Sequence, residues 1–120
     1  MAKRILVVDD DESILDAVSL ILEEAGYSVE TTCKAEEIYE KIATYHPDGI
    51  LLDVLMSGND GRDICKNLKQ DPTTKYIPII MISAHPSAKE GVLECGADDF
   101  LAKPFETDEL LKKVEKHLNK

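Results

Sequence analysis

At 120 residues and 13.3 kDa the chain has room for one self-sufficient core, and a single domain over residues 1–120 is expected. Twenty-four Asp and Glu against fourteen Lys and Arg give a formal charge of -10 and a pI near 4.6, a field that repels a duplex phosphate backbone and argues against direct nucleic-acid binding. Three widely spaced cysteines, Cys33, Cys65 and Cys95, have no histidines at metal-ligand intervals, which argues against a disulfide scaffold and a zinc site, and no apolar run approaches the roughly 18 residues of a membrane helix.

Short β-type runs then alternate with helical patterns, the signal for successive βαβ units around a parallel sheet. Arg4 to Val8 is a continuous aliphatic strand. A helical stripe of Ile14, Leu15, Val18, Ile21, Leu22 and Ala25 follows, and Gly26 stops it in the usual C-terminal role. Ser28 to Thr32 is the second strand. Ile38, Ile42 and Tyr45 repeat at helical spacing until Pro47 breaks the pattern, and Gly49 to Leu52 is the third strand. Ile64, Cys65 and Leu68 carry the next helix. Pro78 to Ile82 reads as the fourth strand, and Val92 and Leu93 belong to a short helix weakened by Gly91. Asp99 to Ala102 supplies the fifth strand. Thr107 then caps a last helix whose Leu110, Leu111, Val114 and Leu118 face the sheet. The last twenty residues hold five Lys and four Asp or Glu, the mixed charge of a solvated helix or of a surface that steers a partner.

Strands that are apolar without alternation are buried on both faces, so helices must cover both sides of the sheet in a three-layer sandwich. Right-handed crossovers bring the ends of the first, third, fourth and fifth strands to one edge, where open α/β sheets bind ligands. Asp9, Asp10 and Asp11 follow the first strand, Asp53 the third, Ser83 the fourth, and Phe100 with Lys103 and Pro104 lie at the fifth. Taken singly these are ordinary: Asp9 to Glu12 can cap a helix and complement its dipole, Lys103 can be a surface lysine, and Ser83 a strand-end cap. Their joint placement is the signal.

Asp9, Asp10 and Asp53 within about 4 Å of one another would repel by roughly 1–4 kcal/mol per pair, so a cation is expected among them. Magnesium suits such a site, because it takes one or two carboxylates together with waters and phosphate oxygens. A carboxylate at Asp53 can itself act as a nucleophile toward phosphorus. Lys103 would neutralise charge spreading over the phosphoryl oxygens, and Ser83 would offer them a hydroxyl.

The motifs Ile5-Leu6-Val7-Val8-Asp9-Asp10-Asp11, Leu51-Leu52-Asp53-Val54-Leu55-Met56 with Asp60-Gly61, Ile80-Met81-Ile82-Ser83-Ala84 and Gly96-Ala97-Asp98-Asp99-Phe100-Leu101-Ala102-Lys103-Pro104-Phe105 resemble the receiver domain of two-component response regulators over nearly the whole chain. The resemblance implies a (βα)5 doubly wound five-stranded parallel sheet with strand order 2-1-3-4-5, a flavodoxin-like sandwich. It implies Asp53 as phospho-acceptor, Asp10, Asp53 and the Leu55 backbone carbonyl as magnesium ligands, and Asp9 acting mainly through water. Ser83 becomes the phosphate-sensing hydroxyl, Phe100 the aromatic switch and Lys103 the charge partner, with a cis bond before Pro104. The implied donor is a histidine kinase or histidine phosphotransfer protein. For the chain itself, the N-terminus has no long apolar h-region and no run has the length of a membrane helix, so a cytoplasmic location is expected. The implied output surface, toward a downstream protein, is the face of the fourth helix, fifth strand and fifth helix, with no output domain in this chain.

Ser57 stands where the family usually has proline, and Leu55 and His85 occupy positions that modulate how long the phosphoryl group lasts. His46 and His117 read as surface residues. Phe100, lacking a hydroxyl to offer water, is expected to be mostly buried before any phosphorylation. The competing reading is a small haloacid-dehalogenase-like phosphatase with Asp9 as nucleophile, because Asp9-Xaa-Asp11, Ser83, Lys103 and Asp98-Asp99 superficially echo that family. The acidic pair precedes the lysine instead of following it, no cap insertion exists, and Asp53 would have no role. A degenerate receiver used only for protein contacts is opposed by the presence of every reactive position.

Overall fold

Five strands, β1 (Arg4–Val8), β2 (Ser28–Thr32), β3 (Gly49–Asp53), β4 (Ile79–Ser83) and β5 (Asp99–Ala102), form one parallel sheet in the order β2-β1-β3-β4-β5. They are seen in a computed structural model that describes residues 2–56, 58–84 and 94–118. Because side chains alternate across a strand, the aliphatic runs feed two separate cores. Leu6, Val8, Ile50 and Leu52 point to one side, where they meet Ile38 and Ile42 of α2 (Ile38–Tyr45) and Cys65 and Leu68 of α3 (Gly61–Gln70). Ile5, Val7, Leu51 and Ile80 point to the other. There they meet Leu15, Val18 and Leu22 of α1 (Glu12–Glu24) and Leu110, Val114 and Leu118 of the C-terminal helix (Thr107–Leu118). Each fully buried Leu or Ile stabilises the fold by roughly 1.5–3 kcal/mol, which is why two-sided burial selects continuous aliphatic strands.

The elements end for local reasons. Asp11 caps α1 by accepting a hydrogen bond from the Ser13 N–H at 3.0 Å, and Gly26, at φ +97°, takes the left-handed turn that closes it. Ala25, expected on the apolar stripe, is exposed at the helix C-cap. His46 ends α2 in a left-handed conformation at φ 54°. Thr107 opens the C-terminal helix as its first residue instead of capping it, and the Glu106 N–H donates to the Glu109 carboxylate at 3.2 Å. Strand β3 runs one residue further than expected, through Asp53, and β4 is shifted by one, to end at Ser83. Both changes draw reactive residues into the ladder. The helix expected around Val92 and Leu93 lies outside the described residues, as do Ser57 and His85. No helix among the described residues is long and apolar enough to cross a membrane.

Candidate functional site

The sheet register assembles the site. Val8 lies opposite Leu52, Asp53 opposite Ile82, and Ser83 opposite Ala102. The residues just beyond these pairs therefore converge at the carboxyl edge between β1, β3, β4 and β5. The Val54 N–H donates to the Ile82 carbonyl at 2.9 Å and the Lys103 N–H to the Ser83 carbonyl at 2.8 Å, which carries the ladder past the strand ends and holds both loops. A short antiparallel pairing of Leu55–Met56 with Asn59–Asp60, with no signal in the sequence pattern, turns the chain from β3 into α3. Asp60 caps α3 by accepting from the Arg62 N–H at 2.9 Å.

Asp9, Asp10 and Asp53 each offer a carboxylate oxygen within 4.8 Å of the others. Asp9 and Asp53 are buried, at 2% and 6% exposure, and Asp10 is exposed. Lys103 reaches into the cluster, its Nζ donating to Asp9 Oδ2 at 2.9 Å and lying 3.5 Å from Asp53 Oδ1. The lysine is thus closer to Asp9 than to the expected acceptor. Asp9 also accepts from the Asp11 N–H at 3.0 Å, so both of its oxygens are engaged, and the phosphatase reading is left without an observation in its favour. Ser83 is buried at 2% exposure. Phe100, expected to be mostly buried, is partly buried and packs against the α2–α3 core. The Lys103–Pro104 bond is cis, as expected.

Burial, followed by the charge of Asp9, pushes the Asp53 carboxyl up to about 6 against the pull of Lys103. For Lys103, burial alone would lower the ammonium; its hydrogen bond to Asp9 and the charges of Asp53 and Asp9 outweigh that and leave it raised. Among the described residues one cation, Lys103, pairs with the three carboxylates, which leaves net negative charge there, and the donors are all hard oxygens. That set fits magnesium. Asp10→Asn is accordingly expected to stabilise the metal-free protein, by up to about 1 kcal/mol, while weakening magnesium binding, since it relieves repulsion and deletes a ligand together. Denaturant melts with EDTA and with magnesium measure both effects, and a less stable variant in EDTA would contradict the crowding.

Two roles were not legible in the sequence. A Cβ on Gly61 would collide with the Asp53 backbone carbonyl, and the Gly61 N–H donates to the Val54 carbonyl at 2.6 Å, so only glycine lets α3 start this close to Asp53. His117, expected at the surface, is instead a partly buried partner of Asp99, with Nε2 2.9 Å from Oδ2; Lys113 Nζ donates to the other Asp99 oxygen at 2.9 Å. The helix places His117 and Lys113 four residues apart, on the face that meets β5.

Burial alone would raise the Asp99 carboxyl, but Lys113 and His117, helped by the Phe100 N–H, hold it down to about 2. A carboxyl depressed in the fold stabilises it above the unfolded-chain value of about 4, and that contribution is lost as pH falls toward 2. Asp99→Asn is therefore expected to cost about 1–2 kcal/mol at pH 7 after solvent screening, with the gap to wild type closing between pH 4 and 2. Urea melts across that range check it; a gap independent of pH would rule out the ionic origin.

The response regulator receiver domain family matches residues 5–115, and the chain belongs to it. Response regulator MprA of Mycobacterium bovis is 40% identical over 116 residues, which cover 95% of this chain and 50% of that protein. The chain spans about half the length of the curated relatives it matches. Among solved structures, the chemotaxis protein CheY4 of Vibrio cholerae superposes with a TM-score of 0.90 at 33% identity, over 98% of this chain and 100% of that one. The receiver domain of the sensor histidine kinase PA1611 from Pseudomonas aeruginosa, with a magnesium ion coordinated in its active site cleft, shares the fold at a TM-score of 0.90, 24% identity and complete mutual coverage. The fold is the flavodoxin-like one, and phosphorylation of an aspartate by a kinase is the general function of this two-component family.

Proposed function

We propose that Asp53 accepts a phosphoryl group from a phosphohistidine on a histidine kinase or histidine phosphotransfer protein, in a magnesium-dependent reaction. The placement of Asp53 carries the reading: a buried strand-end carboxylate, 3.5 Å from Lys103 Nζ and clustered with two further acids. In the transfer one Asp53 oxygen attacks phosphorus as the phosphorus–nitrogen bond to the donor histidine breaks, and the histidine nitrogen leaves with the electron pair. Lys103, pinned by Asp9, keeps its positive charge beside the incoming phosphoryl oxygens. The Ser83 hydroxyl donates to one of those oxygens.

Asp10, Asp53 and the Leu55 carbonyl would hold the metal, with Asp9 acting mainly through water. Magnesium would supply the positive charge that one lysine cannot. Residues 1–120 act in this reading as one receiver domain, located in the cytoplasm. It is a switch that catalyses only its own phosphorylation and dephosphorylation. Ser83, drawn toward the phosphoryl group, opens space for the Phe100 ring and shifts a pre-existing equilibrium. β5, the C-terminal helix and the segment before β5 in which a fourth helix is expected then present the changed face to a downstream protein.

Incubation with magnesium and acetyl phosphate, followed by intact mass and site mapping, tests the assignment. One phosphoryl group on Asp53, absent in EDTA and in Asp53→Asn, is the expected result. Wild-type labelling of Asp53→Asn, or steady turnover of the ester through Asp9 without a stable label, would sink it.

A further inference from the structure

Away from the acidic cleft, Cys65 on α3 and Cys95, just before β5, lie side by side although 30 residues apart in sequence. The Cys65 Sγ donates to the Cys95 carbonyl at 3.7 Å, neither cysteine is in a disulfide, and both belong to the α2–α3 core. Their surroundings differ. Cys65 is fully buried, whereas Cys95, at 7% exposure, lines an open cavity of about 270 Å³ together with Arg62, Asp63, Lys66 and Glu94. We propose that Cys95 and Cys65 are a reversible oxidation site, at which a peroxide entering this cavity oxidises Cys95 and Cys65 closes an internal disulfide.

The asymmetry assigns the roles. Burial, then the hydrogen bond to the Cys95 side chain, raises the Cys65 thiol and keeps it protonated, so Cys65 is a poor first nucleophile. Cys95 has the route to solvent. Its sulfur attacks one peroxide oxygen, the O–O bond breaks, and the products are the Cys95 sulfenic acid and, for hydrogen peroxide, one water. The Cys65 sulfur then displaces hydroxide from Cys95 as its own proton leaves, giving the disulfide and a second water. Two electrons pass from the two sulfurs to the peroxide, and a dithiol reductant reverses the change. The bridge would tie α3 to residues 96–98, the lead into β5, where Gly96 sits at φ +88° and Lys69 already pairs with Asp98 at 2.7 Å. The site shares no residue with the phosphoryl reaction, so its test stands apart from that reading.

The test uses the full chain carrying Cys33→Ser, dosed with hydrogen peroxide, quenched with an alkylating agent, and read by intact mass and non-reducing peptide mapping. The expected product has lost two hydrogens, carries no alkyl group, contains a Cys65–Cys95 peptide pair, and returns to two alkylated thiols after dithiothreitol. Cys65→Ala should give a dimedone-reactive Cys95 sulfenic acid that excess peroxide carries on to the sulfinic acid, with no disulfide, while Cys95→Ala should leave Cys65 reduced. Sulfinic acid at Cys95 in the protein that retains Cys65 would overturn the proposal. Equally fatal would be a cross-link between two chains, or two unoxidised thiols after a dose that consumes free cysteine.

Discussion

Lys103→Ala is expected to slow phosphorylation of Asp53 by about 10²–10³-fold without moving the label, the loss typical when one preorganised charge is removed from a site of developing negative charge. Lys103 is the only described cation paired with the cluster, bonded to Asp9 at 2.9 Å and 3.5 Å from Asp53. Its removal leaves Asp9, at 2% exposure, without its ionic partner. Breaking one side of such a buried pair costs roughly 3 kcal/mol, so the variant should also melt at lower urea concentration. Magnesium held by the proposed cluster, which only the folded chain assembles, should return part of that loss, by about 2.7 kcal/mol at a hundred times its Kd. Acetyl phosphate labelling rates and urea melts with and without magnesium separate the two effects. An unchanged labelling rate would remove Lys103 from the chemistry, and an unchanged midpoint in EDTA would show that its pairing with Asp9 contributes nothing to the fold.

Gly61→Ala should be the most damaging single methyl in the chain. The added Cβ meets the Asp53 backbone carbonyl, which β3 holds in the ladder and cannot move independently, so either α3 tilts away or the acceptor strand shifts. Overpacking of this kind costs about 3 kcal/mol. Either displacement also moves Asp53 relative to Lys103, and a misplacement near 1 Å costs roughly 10²-fold in rate. Gly58→Ala is the control. Gly58 has φ +74° and open space around its would-be Cβ, so alanine there carries only the left-handed backbone penalty, about 1 kcal/mol. Chevron or equilibrium melts and labelling rates of the two variants distinguish a clash from simple loss of glycine's freedom. Equal destabilisation at positions 58 and 61 would refute the collision.

What the sequence determined by itself was the order of layers and the sheet edge on which the acidic cluster and Lys103 gather. Continuous aliphatic runs such as Ile5 to Val8 and Ile50 to Leu52 can be buried only between two helical layers, and parallel crossovers leave the residues after each run at one edge. Asp9, Asp10, Asp53, Ser83 and Lys103 are therefore legible as a group in the sequence. The partner of each charge is not. Lys103 lies nearer Asp9 than Asp53, and His117 was drawn from the expected surface to Asp99, because these contacts join residues 94 and 18 positions apart and depend on ångström-scale rotation of a loop or helix. Periodicity reports which face of an element is apolar, but not where along that face a polar atom meets another element. For the same reason the need for glycine at position 61 and the contact of Cys65 with Cys95 have no sequence signature: both arise only where α3 comes to rest against the carboxyl edge and the approach to β5.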